Sequence, residues 1–118
     1  MVWGKDVRLA RIMENGRMLC VPMDHGVSSG PIKGVDRIYE TIERLEAGGV
    51  TAILVHKGVL KNLPKPIRAG IIMHASASTS LSASPNWKVQ AASVEEALRL
   101  GADAVSVHVN IGNRDEQA

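Results

Sequence analysis

Four apolar, β-favouring runs along the chain each close on a histidine: VPMDHG (21–26), AILVHKG (52–58), IIMH (71–74) and VSVHVN (105–110). Runs that are apolar at nearly every position suit strands buried on both faces, as in a parallel sheet, rather than the alternation of a half-exposed one. Strands are therefore predicted at 18–23, 51–55, 70–73 and 104–109. Between them the apolar positions fall at helical intervals. Val35, Ile38, Ile42 and Leu45 recur three or four apart, placing one stripe on a helix that Gly48 and Gly49 end. Glu40 and Arg44 stand at i,i+4 on its polar side. Ser93 with Glu96 three residues on is a capping box, so a helix is predicted over 94–100 with Gly101 as its stop. A short amphipathic helix at 7–13 leads through the Asn15-Gly16 turn into the first strand. The serine-rich stretch 75–85 reads as a loop. The segment 88–92 is either an extra strand or the entry to the next helix.

Alternation of strand and helix implies right-handed crossovers and a parallel sheet covered by helices, an α/β fold. Polar residues at the carboxyl ends of such strands are where parallel α/β proteins gather reactive groups. A complete (β/α)8 TIM barrel takes about 250 residues. Four strands in 118 residues match about its first four β/α units, the N-terminal half of one domain spanning 1–118. A flavodoxin-like sheet is the alternative of similar size, though no glycine-rich phosphate loop follows the first strand. The tail 112–118 reads as a loop and the acidic first turn of a further helix, so the chain looks cut short. An open sheet leaves apolar edges, and the expectation is a homo-oligomer or pairing with a missing C-terminal half, with a non-catalytic, self-associating half barrel as the non-enzymatic alternative. Gly49-x-x-Ala52-x-x-Val55-His56 returns as Gly101-x-x-Ala104-x-x-Val107-His108, 52 residues on, an echo of either shared ancestry or the same packing demands.

Composition narrows the function classes. With 45% hydrophobic residues the chain can bury one core. Its 14 basic and 12 acidic residues leave a charge of +2 and are scattered without a stripe, which argues against a nucleic-acid partner. No stretch approaches the roughly 20 apolar residues of a membrane span, and the charged opening MVWGKDVRLARIM has no signal-peptide core. A single cysteine, Cys20, lies in the first apolar run and suits packing in a reducing compartment. A cytoplasmic protein is expected.

The residues alone leave the chemistry open. His25, His56, His74 and His108 suit metal ligands, proton carriers or hydrogen-bonded structural groups. A zinc hydrolase would use them together, yet each comes singly and no His-x-His pair marks the first strand. Asp24, in Asp-His-Gly, is either a proton-transfer carboxylate or a cap on the following turn. Lys57 is either a desolvated imine nucleophile or a solvated loop lysine.

Taken in order, VPMDHGVSSGPIKG (21–34), AILVHKG (52–58), IIMHASASTSLS (71–82) and VEEALRLGADAVSVHVNIG (94–112) resemble the first half of the archaeal-type class I aldolase family. The PMDHGV, VHKG and HASASTSLS wording is nearer to its hept-6-ulosonate synthase branch than to its class I fructose-1,6-bisphosphate aldolase branch. The resemblance implies a TIM barrel that forms a Schiff base between a lysine and a sugar-phosphate ketone, breaks a carbon–carbon bond and passes the fragment to an aldehyde. It implies no metal and no other cofactor, because the protonated imine is the electron sink. For the synthase branch it implies 6-deoxy-5-ketofructose 1-phosphate and L-aspartate semialdehyde as substrates, on a route to 3-dehydroquinate and the aromatic amino acids. It makes Asp24 the catalytic proton acceptor and Asp24, His25, Gly26, Val27 and Ser28 the substrate-binding loop. His56, Lys57, His74 and His108, with Ser76, Ser78, Thr79 and Ser80, are candidates to line the mouth, and His108 and Asn110 are candidates to orient a neighbour through hydrogen bonds. The family's Schiff-base lysine, tyrosine proton donor and phosphate-binding loops fall beyond Ala118, so the chain by itself is expected to be inactive. Tyr39 is expected to pack.

Overall fold

In the computed structural model, which describes residues 3–112 and 114–116, the chain runs α1 (Trp3–Ile12), β1 (Cys20–Pro22), α2 (His25–Ser29), α3 (Ile38–Ala47), β2 (Ala52–Val55), α4 (Lys57–Lys61), β3 (Gly70–His74), β4 (Ser76–Ala77), β5 (Val89–Gln90), α5 (Val94–Leu100) and β6 (Ala104–Ser106). The strands foreseen from the apolar runs form one parallel sheet in the order β1-β2-β3-β6. Cys20 stands opposite Ala52, Ala52 opposite Gly70, and Ile72 opposite Ala104. Neighbours in space are thus neighbours in sequence, as in a barrel laid open; a flavodoxin-like sheet would bury β1 between other strands.

The two-residue period of the strands divides the core. Ile53, Val55, Ile71 and Met73 pack against Ile38 and Ile42 of α3, Leu60 of α4 and Ala97 of α5. The intervening residues Ala52 and Ile72, with Cys20, Leu54 and Ala104, meet Ile12 and Met13 on the other face. Ile42, Ile53, Val55 and Met73 are the largest fully buried side chains, each contributing about 1.5–3 kcal/mol by removal from water. Tyr39 packs beside the larger cluster as expected. Cys20 is half-buried, and loss of hydration, aided by the nearby Asp24 charge, raises its thiol pKa.

The amino end of the sheet is closed by α1. A Cβ on Gly70 would lie 2.6 Å from Ile12 Cγ2 and closer still to the Arg11 carbonyl, so only glycine admits the helix this near β3. Asp103 Oδ2 accepts from the Ile71 amide at 2.9 Å while its Oδ1 accepts from Arg11 Nε at 3.3 Å.

Several boundaries differ from the sequence-based expectation. Helix α3 begins at Ile38, because Gly34 (φ 94°) and a bond from the Gly34 amide to Asp36 Oδ1 (2.9 Å) hold the preceding residues in a turn. Its end and the whole of α5 are as expected: Ser93 Oγ accepts from the Glu96 amide at 3.1 Å, and Gly101 closes the helix at φ 85°. The fourth strand stops at Ser106, not Val109. As an edge strand it has β3 alone to pair with, and β3 leaves the ladder at His74, so Val107 and Val109 stay exposed. Helices α2 and α4 are short helices that the apolar pattern does not predict, and residues 89–90 pair antiparallel with 76–77, so part of the serine-rich loop is a hairpin. The acidic tail falls partly outside the described residues. No described helix is long and apolar enough to cross a membrane.

Candidate active site

The inner-face alternation continues past the sheet and brings polar groups to its carboxyl end. The β1 ladder extends one step, Met23 N to Leu54 O at 2.8 Å, and the chain then turns at Asp24 (φ −96°, ψ 5°) into α2. Asp24 precedes that helix but makes no side-chain bond to it, which removes the capping role. Its Oδ2 lies 3.9 Å from His74 Nε2 instead, with the two side chains 26% and 12% exposed.

His74 ends β3 opposite Ser106 of β6, and its Nδ1 is 3.0 Å from Ser106 Oγ. The His56 ring meets it edge-on, with centroids 5.4 Å apart and planes at 65°. Burial lowers the His74 pKa below the ordinary imidazole value; His56, Lys88 and His108 act in the same direction and the Asp24 carboxylate opposes them. His74 is therefore a neutral imidazole at neutral pH. Placing its single proton on Nε2 directs an N–H towards Asp24 and leaves Nδ1 to accept from the Ser106 hydroxyl. At 3.9 Å the first of these is electrostatic rather than a hydrogen bond.

The β4–β5 hairpin rises from the end of β3 and is tied down on both sides. Ser80 N donates to Ser28 O (3.0 Å), joining it to α2, and His108 N donates to Ser76 Oγ (3.0 Å). Asn110, a buried polar residue, donates to Asn86 O (2.8 Å) and Asp115 O (3.0 Å) and accepts from His108 Nε2 (2.7 Å). Lys88 Nζ donates to Ser78 Oγ at 3.1 Å. Thr79 is engaged locally, its Oγ1 accepting from Leu81 N at 3.3 Å.

The remaining candidates are dispersed. His25, Gly26 and Val27 are exposed on α2 and Ser28 is half-buried. Lys57 opens α4, and its Nζ reaches Glu96 Oε2 of α5 at 3.4 Å, which turns it to the helical layer and away from His74. Among the described residues no three of His, Cys, Asp and Glu converge as a metal-ligating group. Ser106 and Lys88 were not singled out from the sequence. Ser106 had a signal in the strand period, since it stands two before His108; Lys88 had none, because the pairing of 88–90 was undecided. A cavity of about 280 Å³ at this end is lined by Ser76, Lys88, Gln90, Val105 and His108. Another, about 130 Å³, lies between α3 and the 63–67 connection, on the helical side of the sheet. Asp24 lines neither and stands on the open inner face.

Comparison with known proteins gives this arrangement a lineage. Residues 18–118 match the DeoC/LacD family aldolase. The chain belongs to that family. A 2-amino-3,7-dideoxy-D-threo-hept-6-ulosonate synthase of Archaeoglobus fulgidus is 48% identical over 115 residues, covering 96% of this chain and 44% of the relative. The corresponding synthase of Halobacterium salinarum is 42% identical, covering 96% and 43%. A 2-amino-4,5-dihydroxy-6-oxo-7-(phosphonooxy)heptanoate synthase of Streptomyces griseus is 39% identical, covering 98% and 43%. Among solved structures, a Schiff-base-forming fructose-1,6-bisphosphate aldolase superposes with a TM-score of 0.83 at 21% identity, over 97% of this chain and 47% of that one. An archaeal fructose-1,6-bisphosphate aldolase with its catalytic lysine bound to a carbinolamine superposes with a TM-score of 0.80 at 25% identity, over the same shares. The DeoC/LacD chain described here thus has the fold of about half a class I aldolase barrel, and it spans less than half the length of the relatives it matches.

Proposed function

We propose that this DeoC/LacD family member forms the amino-terminal half of a Schiff-base synthase that cleaves a ketose phosphate and transfers the fragment to an aldehyde. The observation that carries the reading is Asp24: a carboxylate at the end of β1, released from capping, with its Oδ2 3.9 Å from the His74 imidazole. In this reading a lysine from the other half of the barrel adds to the ketone, and the carbinolamine loses water to give an iminium ion. Asp24 then takes the proton from the hydroxyl adjoining the bond that breaks, the bonding electrons pass into the iminium to give an enamine, and one carbonyl product leaves. The enamine attacks the incoming aldehyde, Asp24 returns the proton to the new alkoxide, and water releases the product. The 48% and 42% identities to hept-6-ulosonate synthases favour 6-deoxy-5-ketofructose 1-phosphate and L-aspartate semialdehyde over fructose 1,6-bisphosphate. His25, Gly26, Val27 and Ser28 are read as the substrate-facing loop, with His56 and His108 at the mouth.

The chain alone is read as inactive, since in this reading the Schiff-base lysine comes from the other half of the barrel; Lys57 itself pairs with Glu96. The apolar side chains beside the β6 edge, Val107 (64% exposed), Val109 (65%) and Ile111 (83%), support completion of the sheet by further β/α units. Borohydride trapping with the ketose phosphate tests both points. The isolated chain is expected to stay unlabelled, and addition of the carboxyl-terminal half of a DeoC/LacD aldolase is expected to restore labelling on that half. In the completed protein Asp24→Asn should cut turnover by about 10²–10⁴-fold. Labelling of the isolated chain would overturn the inactivity, and turnover indifferent to Asp24→Asn would overturn its role.

A further inference from the structure

We propose that Lys88, presented with Ser78 by the β4–β5 hairpin, is a binding site for an anionic oxygen group, a phosphate or a carboxylate, carried by the ligand at the mouth of the half barrel. The hairpin pairs Ser76 with Gln90 and Ala77 with Val89. The next position outward sets Ser78 against Lys88, and the ammonium does donate to the Ser78 hydroxyl at 3.1 Å. Strand alternation puts both on the face of Ser76, whose Oγ accepts from His108 N above the carboxyl end of the sheet. The Lys88 charge accordingly acts on the His74 imidazole.

What sets Lys88 apart is partial burial without a counter-charge among the described residues. Lys57 and Lys65 are paired with Glu96 and Glu43, and Arg8 and Arg11 with Asp103. Lys5, Lys33 and Lys61 are exposed to water. Lys88 is half-buried, and among the described residues no carboxylate comes within 4.0 Å of its nitrogen. A partly desolvated ammonium facing a neutral hydroxyl is an unfavourable arrangement that an incoming anion relieves. Ser78 accepts from Lys88 and its O–H donates to no partner among the described residues, so the pair offers an oxyanion two donors from adjacent strands. The anchors of the hairpin at Ser28 and Asn110 hold those donors in place before the ligand arrives. The inference rests on the aldolase reading for the identity of the molecule that carries the anion, not for the presence of the site.

The test is an NMR titration of the 118-residue chain with inorganic phosphate and, separately, with acetate at constant ionic strength. Saturable shifts are expected at the amides of Ala77, Ser78, Lys88 and Val89. The His74 titration midpoint should rise, since Asp24, His56, His108 and Lys88 are the charged or titratable groups acting on it and one cation becomes neutralised. Lys88→Gln should weaken binding about tenfold or more, while Lys88→Arg keeps it and shows that the hairpin is intact. A response to phosphate alone assigns the phosphate end of the ligand, and a response to acetate alone assigns a carboxylate. Binding unchanged in Lys88→Gln, or shifts gathered at Lys5 and Lys33 with the hairpin silent, would overturn the site. Should trapping fail in the completed protein while Lys88-dependent anion binding persists, the reaction would be wrong and the site would stand.

Discussion

At the amino end of the sheet charged groups are met by partners at bonding distance: Asp103, 6% exposed, holds the Ile71 amide (2.9 Å) and Arg11 (3.3 Å). Glu46 Oε1 accepts there from the amides of Arg68 (2.6 Å) and Ala69 (2.9 Å), and Arg8 donates to Ala102 O (2.7 Å). At the carboxyl end His74 stands 3.9 Å from Asp24 with no bond between them, and Lys88 has a hydroxyl for its partner. Both ends flank the same four-stranded parallel sheet. In the proposed reading the contrast separates groups that fold the chain from groups that serve the reaction, the division of labour of a β/α barrel.

That division predicts unequal responses to mutation, and the largest belong to the closed end. Gly70→Ala drives a methyl into Ile12 and the Arg11 carbonyl and should cost about 3 kcal/mol in urea unfolding, near the top of the overpacking range. Asp103→Ala strands the Ile71 amide and frees Arg11, and a loss of about 2 kcal/mol is expected by the same measurement. An Asp103→Ala protein as stable as the parent would end the view that this end is the clamp. Asp24→Asn, at the open end, should change stability by less than about 0.5 kcal/mol. It should nevertheless lower the His74 titration midpoint by removing the carboxylate that raises it, a shift readable by NMR.

The pH response sharpens the same contrast. Because the folded chain holds the His74 pKa below its ordinary 6.5, the unfolded chain binds the proton more readily. Its contribution is complete above about pH 6.5 and is lost as pH falls through that value towards the folded pKa. His74→Gln should flatten this part of the stability profile, and an unchanged slope would show that the imidazole is not desolvated.

Much of the frame could be read from the residues. The four apolar runs marked the strands, Ser93 and Gly101 marked both ends of α5, and Asp24 was singled out at the turn where it now stands beside His74. The short helices were not legible. Gly26, Ser28 and Ser29 are poor helix formers, so local propensity gives α2 no signal. The fourth strand was drawn too long because VSVHVN carries a strand pattern to Val109, whereas pairing ends where β3 departs into the hairpin. The four histidines looked equivalent in sequence, yet they end in different surroundings: His56 against His74, His108 on Asn110, and His25 exposed.

The order of apolar runs, glycines and caps was enough to determine alternating strands and helices, since periodicity and local hydrogen bonding act within a few residues. Tertiary structure alone decided which strands are neighbours and in what register. That choice places Ser106 beside His74 and brings the Lys88 charge to act on it, because interactions between residues 32 or 14 apart follow from closing a shared core and leave no local trace.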